Sequence, residues 1–173
     1  MIKSHSHNTL FFSGKAVLAS LLLTLTTVGM GLTPLPSLAQ SPQDTINEKI
    51  VALKASENRW IEIDLSSQRL IAWEGKKPVY AVIVSTGKKE TPTLPGVFNV
   101  KIMRSLDRMR GPDYDVPNVP YAMYYQGGYA IHGAYWHNKF GTPVSHGCIN
   151  VAVDHAEWLY KWSSIGTPVV IHD

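Results

Sequence analysis

Cysteine is almost missing from this chain: among 173 residues, Cys148 carries the one thiol. No intrachain disulfide can form, and a structural zinc site built on a cysteine cluster is excluded. Charge is scarce too. Charged residues make up 17% of the chain, and 16 Lys plus Arg against 13 Asp plus Glu leave a net charge of +3. So mild a balance excludes a basic nucleic-acid-binding tail, and a hydrophobic content of 45% argues against wholesale disorder. No internal repeat and no collagen-like glycine period occur, although 13 Gly and 11 Pro foretell many turns. The length suits one modest domain and falls short of a large multidomain enzyme.

Residues 1–39 hold no acidic residue, and Lys3 and Lys15 are their only charged side chains. An apolar run of 17 residues, Ala16 to Leu32, is broken by Pro34 and Pro36 and followed by Ser37-Leu38-Ala39. That order of basic region, apolar region and small-x-small site reads as a secretory signal peptide cut after Ala39. The competing reading is an uncleaved membrane anchor, since the run is near the lower length for spanning a bilayer. Both place the remaining chain outside the cytoplasm, in the periplasm or cell envelope. What remains has 14 basic against 13 acidic residues and five histidines, all at or beyond His132. Charge therefore carries no message about an acidic partner.

Residues 40–57 are expected to form a linker and a short helix over about 45–57, capped by Asp44 or Thr45, with Ile46, Ile50 and Leu53 at helical spacing. From Arg59 the period becomes two. Ile61, Ile63 and Leu65 alternate with Glu62 and Asp64; Leu70 to Trp73 and Val79 to Val84 follow as short strands between polar turns. Residues 85–95 read as a long loop, 96–103 as a strand, and 104–120 as a second long loop of the kind that is often functional. Strands are expected on both sides of Gly127-Gly128, then a loop over 133–147, a helix over 154–162 and a last strand over 167–171. The fold class is mainly β, a sandwich or closed sheet with a few short helices.

A lone cysteine is most often a small buried hydrophobe. Here the exported setting, where an isolated thiol risks oxidation, and the polar approach His146-Gly147 favour a reactive role. A thiol is mostly protonated at neutral pH, so a nucleophilic Cys148 needs a base. His132, at the end of an apolar strand, is the candidate, and the carbonyl of Gly133 could orient it where no Asp or Glu lies near in sequence. The resulting thiolate–imidazolium pair would attack a carbonyl, and the N–H groups of Gly147 and Cys148 would meet the oxyanion.

The stretch Ile131-His132-Gly133, followed 16 residues after the histidine by Cys148 within Ser145-His146-Gly147-Cys148-Ile149-Asn150, resembles the signature of the L,D-transpeptidase catalytic domain family, the YkuD-type domain. The resemblance spans about 58–172 and includes WIEIDLSSQRLIAW, the segment Thr91-Pro92-x-x-Pro95-Gly96-x-Phe98, and the closing GTPVVI. It implies an L,D-transpeptidase-like β-sandwich and an acyltransferase with Cys148 as nucleophile and His132 as base. Gly133 would hold the imidazole, and His146 would shape the pocket beside the oxyanion site. Ser145 and Asn150 would fix the nucleophile loop and contact substrate. Many relatives carry Arg where this chain has Asn150. The implied partners are peptidoglycan stem peptides, with an envelope lipoprotein as another acyl acceptor; no nucleic acid is implied, and the protein is expected to be a monomer. The implied reaction cleaves the bond to the terminal D-alanine of a tetrapeptide stem through a thioester and forms a 3→3 cross-link. Carbapenem sensitivity is a further family property. Alternatives are an L,D-carboxypeptidase or cross-link hydrolase using water, and a non-catalytic wall-binding protein.

Neither a cofactor nor a metal is expected. His132, His146 and Cys148 have zinc-ligand chemistry, but the i, i+2 spacing of His146 and Cys148 is awkward for sharing an ion. Trp136, Tyr125 and His137 are candidate substrate contacts, each against a plainer reading as packing or turn residues. Arg104, Arg108 and Arg110 either face stem carboxylates or pair with Asp107 and Asp113 on a solvated loop.

Overall fold

A computed structural model describes residues 40–173; the signal-peptide and anchor readings lie outside the described residues. Helix α1 (Pro42–Lys54) begins three residues earlier than the periodicity suggests. Its cap is Ser41, not Asp44 or Thr45: the Ser41 hydroxyl accepts from the Asp44 N–H, and the Asp44 carboxylate accepts from the Ser41 N–H. This reciprocal pair, with Pro42 at the first helical position, satisfies donors that a start at Thr45 would leave open.

Among the described residues nine strands follow: β1 (Arg59–Asp64), β2 (Arg69–Glu74), β3 (Lys77–Ile83), β4 (Gly96–Asn99), β5 (Ile102–Arg110), β6 (Asp115–Gln126), β7 (Tyr129–Gly133), β8 (Ile149–Val151) and β9 (Pro168–His172). Helix α2 (Val153–Trp162) lies between β8 and β9. The strands form a five-stranded sheet in the order β3-β2-β1-β9-β4 and a four-stranded sheet in the order β5-β6-β7-β8. Each sheet contains one parallel pair, β1 with β9 and β7 with β8. The architecture is mostly β, as expected.

Strand alternation builds the core. Ile61, Ile63, Val169 and Ile171 from the first sheet meet Met123, Ile131, Ile149 and Val151 from the second, all buried. The other face of the first sheet offers Trp60 and Val170 to Ile46 and Leu53 of α1. Thus the first sheet is covered on both faces. In the second sheet, inward Ile131 and Ile149 direct their neighbours, the even-numbered residues, to the opposite face.

The long loop expected over 104–120 is instead the distal half of the β5–β6 hairpin, turning at 111–114. Strand β5 is exposed along most of its length on both faces, so its sequence carries no apolar alternation. Register shifts between Asp107 and Met109, and positive φ at Asn118 and Tyr121, bend the hairpin. Met109 and Val119, with Tyr114 and Val116, then pack with Ala122, Ala130 and Cys148.

Candidate active site

Cys148 sits immediately before β8, and His132 is the penultimate residue of β7. These strands are parallel neighbours, with Ile131 opposite Ile149 and His132 opposite Asn150. Because Ile131 and Ile149 point into the core, alternation puts His132, Asn150 and Cys148 on the outer face together. A cleft of about 250 Å³ opens there, lined by His132, Cys148, Ser145, His146, Asn150 and Trp136, with Met109, Tyr114, Val116 and Val144 as its apolar walls.

His132 is buried, and its Nδ1–H donates to the Gly133 carbonyl at 3.0 Å. That contact fixes the tautomer and leaves the Nε2 lone pair free. Burial drives its pKa from the ordinary 6.5 to about 4, so the imidazole is neutral at physiological pH. Trp136 lies against the ring, with centroids 5.7 Å apart. Gly133 itself has no room for a side chain, because a Cβ would come within 2.9 Å of the Pro120 ring.

The Cys148 thiol is partly exposed and turned toward the Gly128 carbonyl, 3.6 Å from Sγ. Its apolar surroundings push its pKa up, with the Ala130 N–H pulling weakly the other way. Both shifts favour the uncharged forms, a thiol beside a neutral imidazole.

The two expected oxyanion donors, the N–H groups of Gly147 and Cys148, are placed differently. Gly147 adopts φ +110°, and its N–H donates to the Ser145 hydroxyl at 3.0 Å, so this N–H is engaged within the loop. Among the described residues no hydrogen bond uses the Cys148 N–H, which leaves it as the available donor. Ser145 in turn donates to the Cys148 carbonyl at 2.5 Å.

The loop at 85–93 braces this arrangement. Thr93 donates to the Gly147 carbonyl at 2.8 Å and Thr91 to the Ser145 carbonyl at 3.0 Å. The N–H groups of Val144 and Ser145 both donate to the Thr86 carbonyl. Thr86 is tied to buried Gln68, whose side chain bonds both its N–H and its hydroxyl. These bracing residues were missed in the sequence, although Thr91 and Thr93 lie in a segment that carried the family resemblance.

Of the expected substrate contacts, Ser145, Asn150 and Trp136 line the cleft. His137 does not. Its Nδ1 accepts from the Lys139 N–H at 3.2 Å, and its Nε2 lies 2.9 Å from the side-chain amide nitrogen of Asn150. His137 thus positions Asn150 from behind. Tyr125 does not line the cleft either: it is a core residue packed against Phe98 and Tyr129, and its hydroxyl has no partner among the described residues. The arginines pair on the hairpin, Arg104 with Asp107 and both Arg108 and Arg110 with Asp115. Asp113 pairs instead with His146, Nε2 to Oδ2 at 3.0 Å, a contact the sequence did not suggest. Among the described residues no group of three or more His, Cys, Asp or Glu is placed to hold a metal.

The profile of the L,D-transpeptidase catalytic domain matches residues 58–171. The Bacillus subtilis protein YciB, itself only provisionally assigned as an L,D-transpeptidase, is 27% identical over 130 residues, covering 65% of this chain and 64% of its own. The solved L,D-transpeptidase from Mycobacterium smegmatis superposes with a TM-score of 0.64 at 25% identity, over 67% of this chain and 59% of that one. The catalytic domain of the Enterococcus faecium L,D-transpeptidase gives 0.61 at 30% identity, over 67% of this chain and 98% of the domain. This chain spans less than two thirds of the Bacillus and Mycobacterium proteins and nearly all of the isolated Enterococcus domain. With two thirds of its length matched, in a fold those enzymes share, the chain belongs to the L,D-transpeptidase catalytic domain family.

Proposed function

We propose that this protein is a cysteine acyltransferase of the bacterial cell envelope that cross-links peptidoglycan stem peptides. The observation that carries the reading is the shared cleft of Cys148 and His132, with His132 Nδ1 held on the Gly133 carbonyl so that Nε2 is the basic atom.

The thiol swings from the Gly128 carbonyl toward His132 and gives its proton to Nε2. The thiolate attacks the carbonyl preceding the terminal D-alanine of a tetrapeptide stem. The Cys148 N–H meets the oxyanion, and its alignment is held by the Ser145 bridge and by the threonines behind it. His132 returns the proton to the leaving amine, D-alanine departs, and a thioester remains on Cys148. The side-chain amine of a second stem attacks the thioester, which restores the thiol and forms a 3→3 link. A neutral resting pair suits this sequence, because the proton moves only when a carbonyl is in place.

Incubation of the full chain with purified tetrapeptide stems tests the proposal. It predicts release of D-alanine together with a cross-linked dimer. Tripeptide without dimer would identify water as the acceptor, and no D-alanine release would leave a non-catalytic wall-binding role.

A further inference from the structure

We propose that Asp113 is the positioning residue of a second base in this cleft, holding His146 in the tautomer whose Nδ1 takes a proton from the incoming acceptor ammonium. The inference rests on the reading of an amine as acyl acceptor.

Asp113 lies in the turn between β5 and β6, and His146 lies two residues before Cys148, so the contact joins the hairpin tip to the nucleophile loop. An ionised carboxylate can only accept, so His146 Nε2 carries the hydrogen, and in the neutral ring Nδ1 holds the lone pair. Nδ1 has no hydrogen-bond partner among the described residues. The Tyr114 ring lies beside the imidazole, centroids 4.7 Å apart, and both residues line the cleft with Cys148. The two histidines of the cleft thus hold opposite tautomers: His132 is protonated on Nδ1 toward a backbone carbonyl, and His146 on Nε2 toward a carboxylate.

Proton balance gives the second histidine a task. An acceptor ammonium has three N–H protons, and the amide it becomes keeps one. His132 accounts for one of the two that leave, passing it to the departing thiolate. The other must leave before attack, because an ammonium has no lone pair. His146 takes it, the C–N bond forms, the C–S bond breaks, and the imidazolium later gives its proton to solvent. Water needs one base only, since the second proton dissociates after the acid has formed.

The charges facing the pair support this assignment. The His146 hydrogen bond holds the Asp113 pKa below the ordinary carboxylate value, and Lys88, from the 85–93 loop, adds a smaller pull in the same direction. Asp113 supplies a negative charge in direct hydrogen-bond contact with the ring that would become an imidazolium. Tyr114, Cys148 and His132 are the other titratable groups lining the cleft, and all three are neutral at rest. The Asp113 side chain is 64% exposed, so its effect weakens as salt rises.

The test is the ratio of dimer to tripeptide formed from tetrapeptide stems by the full chain, followed against pH. Asp113→Asn is expected to lower the ratio about tenfold at neutral pH, since an amide can present a donor and select the wrong tautomer. The ratio should recover at alkaline pH, where free amine is abundant, and Asp113→Glu should retain most of it. A ratio unchanged in the Asn variant, or lowered equally at every pH, overturns the proposal, the second result marking Asp113 as a hairpin fastener. A wild-type protein that makes tripeptide but never dimer overturns the amine-acceptor reading, and the proposal with it.

Discussion

Ser145 brackets the peptide unit that carries the Cys148 N–H, bonding the unit before it and the unit after it: its hydroxyl accepts from the Gly147 N–H at 3.0 Å and donates to the Cys148 carbonyl at 2.5 Å. One side chain thereby sets the direction of the Cys148 N–H. Ser145→Ala leaves a buried N–H without a partner and should cost about 1–3 kcal/mol of stability, measured by denaturant unfolding. The acylation rate should fall further than stability alone explains, and Ser145→Thr, which keeps the hydroxyl, should recover much of both.

Gly147 combines a φ of +110° with a Cβ position that runs into the Tyr129 ring. Gly147→Ala meets both penalties and should destabilise the protein by about 2 kcal/mol or more. Removing the ring as well, in Gly147→Ala with Tyr129→Ala, should relieve the clash and leave the backbone strain. A double variant no better in acylation than the single one would assign the whole effect to φ.

His132 makes stability fall with acid. Its folded pKa, about 4, lies below the ordinary 6.5, so the unfolded chain binds the proton more readily. The stabilising contribution is complete above pH 6.5 and is lost as pH falls through the window to about 4. The loss amounts to about 3 kcal/mol, because each pKa unit is worth about 1.4 kcal/mol. His132→Gln should flatten this slope in unfolding measured from pH 7 to pH 4. The acid limb of acylation should likewise fall near pH 4, and a limb near pH 6.5 would contradict a desolvated base.

Tyr125 has a buried hydroxyl without a partner among the described residues. Tyr125→Phe removes an unsatisfied group and keeps the ring packing on Phe98. The variant should be as stable as the wild type or more stable by up to about 1 kcal/mol, with acylation unchanged. A loss of acylation would return Tyr125 to the site.

What the sequence disclosed and what it hid divide along physical lines. Ile131 declared its strand through apolar content, whereas the three-residue β8 at Ile149–Val151 is too short to show a period and was not foreseen. The 104–120 stretch stayed hidden because β5 is wet on both faces, so its pairing leaves no apolar alternation. Asp113 could not be tied to His146, since 33 residues separate them and only the bend in the hairpin joins them. The Gly147 N–H looked like an oxyanion donor because the glycine is unobstructed in sequence; its backbone angle turns that donor toward Ser145. Tyr125 and His137 have the composition of substrate contacts, but strand alternation sends the first inward, and hydrogen bonds to the Lys139 N–H and Asn150 hold the second behind the cleft.

Intact-mass analysis of the full chain after exposure to a carbapenem most directly tests whether Cys148 is an acyl-accepting nucleophile. One adduct per chain, mapped by peptide digestion to Cys148 and lost in Cys148→Ala, is the expected result. An unmodified wild-type protein, or an adduct that persists in Cys148→Ala, would contradict it.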